Sequence, residues 1–185
     1  MQLEIAPASE PEYPVVCNLA RFYIYDMSEY TGWHFPPDGL FDSQERFANY
    51  WNRPGPQHSW PPEWRGFPFL IRIDSDPAGF ALVKRLSEKP AVYDMGEFFI
   101  GRQHRRNGAG RRVAFELFNT FPGQWEIREM PGNVPAQAFW RRVVEDYTGG
   151  KFTENREIFP AYGGREFIVQ RFQSKEGAAK AESRA

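Results

Sequence analysis

The chain has 185 residues, 41% hydrophobic and 17% aromatic, enough for one domain with a real core and incompatible with a disordered chain. A formal net charge of −1 argues against a broad basic face for nucleic acid. The single cysteine, Cys17, excludes an internal disulfide and any cysteine-based zinc site, and three scattered histidines leave no metal expected.

Residues 2–6 alternate as a short first strand. "SEPE" follows, with Ser9 and Glu12 at capping-box spacing and Pro11 in the first turn. Val15, Val16, Leu19, Phe22, Tyr23 and Met27 recur at helical spacing, which predicts a long helix over 11–30. Cys17 lies among these apolar residues and reads as packing. "TGWHFPPDG" breaks the helix, and 40–51 reads as a second one. "NRPGPQHSWPPEWRG" reads as an ordered surface loop, which places His58 on the surface as His34 is in the preceding break.

Residues 67–73 and 79–84 are apolar runs across "DSDPAG", a hairpin, and 92–100 is a third strand of the set. "HRRNGAG" comes next, then a helix whose buried stripe is Val113, Ala114, Leu117 and Phe118. "QWEIREM" is a strand. Asn133 caps a helix to about Tyr147, stopped by Gly149 and Gly150, with Phe139, Trp140, Val143 and Val144 inward. Residues 152–159 and 166–172 form a closing hairpin across "PAYGG". The order is β α α β β β α β α β β. The strand–helix–strand unit over 92–129 should pair its strands in parallel through a right-handed crossover. The fold class is α/β: one mixed, mostly antiparallel sheet with a central parallel pair and helices on both faces. No run of about 18 apolar residues exists and "MQLEIAPASE" lacks the features of a secretory leader, so a cytoplasmic protein without a membrane partner is expected.

The glycines of "HRRNGAG" admit several readings. The plainest is a strand-to-helix turn with solvated arginines. A triphosphate loop would need a lysine after the second glycine, and none follows. A dinucleotide fingerprint matches Gly108 and Gly110, and Glu129 lies where an acidic ribose ligand belongs, but Val113 stands in place of the third glycine. Too little chain follows for a second mononucleotide half.

"EFFIGRQHRRNGAGRRVAFELF" resembles the signature of the GNAT N-acetyltransferases: Arg or Gln, two residues, Gly, one residue, Gly or Ala, between a strand and a helix. Here these are Arg105, Gly108 and Gly110. Downstream, "NVPAQAFW" carries Asn133, Ala136 and Phe139 with the spacing of that family's other cofactor-contacting helix. The resemblance implies the acyl-CoA N-acyltransferase fold, with the parallel pair splayed around the cofactor, over residues 1–173, leaving 174–185 as a flexible tail.

It implies acetyl-CoA as co-substrate, with no metal. The pyrophosphate would sit on the amides of Arg106, Asn107, Gly108, Ala109 and Gly110, with charge from Arg105 or Arg111. The pantetheine arm would lie against Phe99 and Ile100, with Asn133 and Phe139 completing the cofactor set. Glu97, the one carboxylate of "MGEFFI", is the candidate base. Where relatives carry a tyrosine acid this chain has Trp140, and Tyr147 lies two turns further on, so the acid is unassigned. Asp26, Glu29 and Tyr30, among aromatics, are candidates for holding the acceptor. The implied function is transfer of an acetyl group to a primary amine of a small molecule or peptide by direct attack in a ternary complex. The alternative is a coenzyme A-binding module without catalysis. No nucleic-acid partner is expected, and a homodimer is compatible with the sequence.

Overall fold

The computed structural model describes residues 2–41, 47–52 and 60–174. Seven strands form one mixed sheet: β1 (Leu3–Pro7), β2 (Arg65–Ile73), β3 (Asp76–Glu88), β4 (Ala91–Ile100), β5 (Gln124–Glu129), β6 (Phe152–Phe159) and β7 (Arg165–Gln173). Helices α1 (Tyr13–Thr31), α2 (Ala109–Thr120) and α3 (Val134–Thr148) flank it. The strand order is β1-β2-β3-β4-β5-β7-β6. β1 and β2 run antiparallel from Leu3↔Ile73 to Pro7↔Phe69, and β2 pairs antiparallel with β3. β4 and β5 are parallel, as expected for strands joined through α2. β7 lies antiparallel between β5 and β6.

Expected and observed elements agree closely at α2, α3 and the closing hairpin. Of the helix expected over 40–51, residues 42–46 lie outside the described residues; Ala48–Trp51 is a 3₁₀ turn. The expected tail, apart from Ser174, and His58 also lie outside them. No helix among the described residues is long and apolar enough to cross a membrane.

The chain divides into two compact units. The first comprises residues 1–85 and 95–109. Its core is built on the i, i+4, i+8 stripe Val16, Ala20 and Ile24 of α1, which packs with Leu70, Phe80, Leu82 and Phe99. At the start of α1, the Ser9 N–H and hydroxyl both donate to the Glu12 carboxylate, at 2.7 and 2.6 Å. At its end Gly32 turns left-handed (φ 69°) and its N–H returns to the Ser28 carbonyl. Gly79 of β3 is fixed by space: a Cβ there would stand 2.1 Å from the Phe99 carbonyl oxygen.

The second unit comprises residues 86–94 and 110–185. Phe118 of α2 centres its core, edge-on to Trp125 (4.9 Å), Tyr147 (5.1 Å) and Phe172 (4.9 Å). The Tyr147 hydroxyl donates to Asn119 at 2.8 Å, so this phenol is a packing and bonding group between α3 and α2.

Candidate active site

β4 leads into the glycine turn. A 3₁₀ turn, Arg102–His104, follows the strand, and Gly101 N–H donates to the Ala78 carbonyl at 2.8 Å. Arg106 (φ 65°) and Gly108 (φ 87°) are both left-handed. Two such residues around Asn107 reverse the chain sharply, and Gly108 meets that requirement at least cost. A Cβ at Gly108 would meet no atom within 4 Å, so conformation, and not a neighbour, demands the glycine within the chain. The Asn107 side chain accepts from Ala109 N–H at 3.1 Å, satisfying one orphan donor where α2 begins. Gly110 lies in the first helical turn. The remaining first-turn amides and the positive helix end are the elements that hold an anion in such a turn. The open Gly108 position leaves the backbone there accessible to close approach.

The arginines of the turn have defined partners. Arg105 donates through Nε to the Ile100 carbonyl at 2.7 Å and through a terminal nitrogen to Asp26 at 2.7 Å. Its guanidinium lies 5.5 Å from the Phe99 ring centroid. Arg102 reaches the other Asp26 oxygen at 2.6 Å. Burial pushes the Asp26 carboxyl up, but the bonds from Arg105 and Arg102 outweigh it and hold it below its ordinary value. Asp26, a candidate acceptor residue by sequence, is therefore placed against the glycine turn. Arg106 is exposed. Arg111 is turned along α2, onto Asp146 at 2.9 Å and over the Phe115 ring at 4.5 Å.

Glu97, on β4, accepts a 2.6 Å hydrogen bond from the Tyr23 hydroxyl of α1. Phe99, two residues on and on the same strand face, touches the same tyrosine ring. Glu29 is exposed and Tyr30 half-buried; burial, then the Glu29 charge, raises the Tyr30 phenol. The first unit thus brings Glu97, Asp26, Arg105 and the turn close to α1.

In the second unit, β4 and β5 share a short parallel register, Val92↔Gln124 to Asp94↔Glu126. Asn133 caps α3, its side chain accepting from Ala136 N–H at 3.1 Å. Phe139 is half-buried and stands edge-on to Trp140 at 4.9 Å. Trp140 is buried at 6% exposure. Gln137 donates to the Met130 and Pro131 carbonyls at 3.0 and 2.8 Å, pinning the turn before the helix.

Three features escaped the sequence reading. One is the Tyr23–Glu97 bond, which joins residues 74 apart. Another is an ion network: buried Asp94 faces Arg128 at 3.6 Å, Arg128 binds Glu126 at 2.9 Å, and Glu126 accepts from Arg171 at 2.9 Å. Its one sequence signal was an aspartate inside an apolar strand, which demands a partner. The last is Glu129, which turns inward at 4% exposure, with neither carboxyl oxygen bonded to another residue among the described residues.

A model of the acetyltransferase (GNAT) family matches residues 26–144, more than half of the chain. An acetyltransferase of the GNAT family from Desulfovibrio desulfuricans superposes with a TM-score of 0.61 at 16% identity, covering 94% of this chain and all of that one. An acetyltransferase from Salmonella typhimurium, solved with its cofactor acetyl-CoA, gives 0.57 at 13% identity over 96% and 97% of the two chains. An aminoglycoside acetyltransferase in complex with coenzyme A gives 0.58 at 13% identity over 93% and 95%. At these identities the structural likeness shows the fold. No curated protein matches the chain in sequence.

Proposed function

The chain belongs to the GNAT acetyltransferase family, and from that premise we propose that it moves an acetyl group from acetyl-CoA to a primary amine of a small molecule or peptide, by direct attack in a ternary complex. The observation that carries this reading is the turn over 105–110, with left-handed Arg106 and Gly108 and an open Gly108 position at the start of α2. Backbone amides of Arg106, Asn107, Gly108, Ala109 and Gly110 hold the pyrophosphate, with charge from Arg105 or Arg111. Main-chain groups at Phe99 and Ile100 hold the pantetheine arm. Asn133 and Phe139 are the further cofactor residues, although the Asn133 side chain already serves as the α3 cap.

Acetyl-CoA, when bound, supplies the thioester whose carbonyl the amine attacks. The chain's part is to orient the amine, polarise the carbonyl through a main-chain N–H and take up one proton. Glu97 takes that proton. Glu29 and Tyr30 orient the acceptor, with Asp26 at the edge where the turn begins. Trp140 has no acidic proton, and the Tyr147 hydroxyl donates to Asn119, so neither is assigned as the acid for the leaving thiolate.

The second reading, coenzyme A binding without catalysis, is favoured by that same pair of residues. Release of free thiol from acetyl-CoA across a panel of primary amines separates the two. Thiol release with any amine supports transfer. Calorimetric binding of acetyl-CoA without release under any amine supports the binding module. Tighter binding of NAD than of acetyl-CoA overturns the cofactor assignment.

A further inference from the structure

We propose that Tyr23 is a positioning residue for Glu97, holding its carboxylate in the place from which it takes the acceptor's proton; this rests on the reading of Glu97 as the base. The Tyr23 hydroxyl donates to Glu97 Oε2 at 2.6 Å, the length of a charge-assisted O–H···O⁻ bond. The phenol ring is itself held. Its edge meets Phe80 at 5.8 Å with an interplanar angle of 83°, and Phe99 at 6.3 Å with 67°. Phe80 and Phe99 pack on each other at 5.6 Å. A ring packed edge-on against this aromatic pair directs its hydroxyl to one place, so the donor is set before any ligand arrives.

The helix that carries Tyr23 is fixed a turn further along. Asp26 is three residues on, on the same helix face, and it binds Arg102 and Arg105 at 2.6 and 2.7 Å. One turn of α1 therefore grips β4 at Glu97 and the glycine turn at its two arginines. A glutamate has three side-chain torsions, and an unanchored one samples many carboxylate positions. Bonding Oε2 to a fixed phenol removes most of that freedom. The proton moves to that held carboxylate from the amine nitrogen as the N–C bond forms and the C–S bond breaks.

The test is a double-mutant cycle with Tyr23→Phe and Glu97→Gln, using the panel amine that gives the fastest thiol release from acetyl-CoA. Tyr23→Phe keeps the ring packed on Phe80 and Phe99 and removes only the donor. The expected result is a fall in kcat on the order of tenfold, with the KM for acetyl-CoA changed by less than about twofold. In the Glu97→Gln background the same change should add less than about twofold, because the two groups act as one unit. Equal losses in both backgrounds, a change in KM in place of kcat, or loss of the fold in Tyr23→Phe would each overturn the assignment of Tyr23. An unchanged kcat in Glu97→Gln alone overturns the base reading, and this proposal with it. A slow Glu97→Gln beside a normal Tyr23→Phe overturns this proposal and leaves the base reading standing.

Discussion

Glu129 carries a carboxyl group into the interior. It ends β5, where Trp125 and Ile127 of the same strand face are buried, and alternation turns its carboxyl inward with them. Burial raises its pKa to about 8, the nearby Glu154 charge adds to this, and Arg141 partly opposes it. The folded chain holds this proton up to about pH 8, whereas the unfolded chain releases it near 4.5. Between those values the folded state binds more protons, so stability falls as pH rises through that window. Glu129→Gln should therefore melt higher than the parent at pH 8.5, by a few kcal/mol given about 1.4 kcal/mol per unit. The advantage should vanish near pH 4.5. Equal melting shifts at both pH values in thermal denaturation would show that the carboxyl ionises freely. Trp140 poses the opposite case, a group with no proton to give. Trp140→Phe keeps most of the buried bulk, and steady-state turnover should fall only modestly with acetyl-CoA affinity retained. A collapse of turnover with binding intact would place the indole N–H in the chemistry.

At the scale of elements, two glycines in the first unit show two reasons for the same residue. Gly79 lets β3 lie against β4, since a Cβ there would stand 2.1 Å from the Phe99 oxygen. Gly79→Ala must push one strand away and should destabilise the chain by about 1–3 kcal/mol, read from urea unfolding. Gly108 has open space and a left-handed φ of 87°. Gly108→Val should cost about 1–2 kcal/mol of backbone strain, leave the fold standing, and abolish acetyl-CoA binding in calorimetry. Normal binding by that variant would remove the turn from the cofactor site. The two substitutions should thus separate: one lowers the urea midpoint most, the other removes the ligand. The start of α1 adds an acid-sensitive element. Hydrogen bonds from Ser9, then Arg72, hold the Glu12 carboxyl down to about 2. Its contribution is present above about pH 4.5 and is lost as pH falls toward 2, so Glu12→Gln should flatten the acid limb of the melting curve.

At the scale of the whole molecule, a ligand that binds only the folded chain raises its melting point by mass action. Acetyl-CoA at 100 times its Kd should stabilise the protein by about 2.7 kcal/mol, and NAD at the same concentration should shift the melt much less. The reverse order would return the turn to the dinucleotide reading. The proposed domain, residues 1–173, is tested in the same way: a chain ending at Ser174 should melt and shift with acetyl-CoA as the full chain does.

The sequence by itself determined the elements and the turn. Val15, Val16, Leu19, Phe22, Tyr23 and Met27 at helical spacing mark α1 as a helix, although Phe22 is exposed and the buried stripe is Val16, Ala20 and Ile24; Val113, Ala114, Leu117 and Phe118 mark α2, and Gly149 with Gly150 ends α3. These are local relations, a few residues apart, and periodicity reports them directly. The "HRRNGAG" motif was legible for the same reason, because its left-handed Gly108 is a demand of the chain on itself. Only the tertiary structure decided that β7 enters between β5 and β6, that Tyr23 holds Glu97, and that Asp26 takes both Arg102 and Arg105. It also placed Glu129 in the interior, where the spacing had allowed a ribose ligand. Each of these joins residues that local spacing does not relate. Which carboxylate meets which hydroxyl or guanidinium is set by strand order and by the face each strand presents.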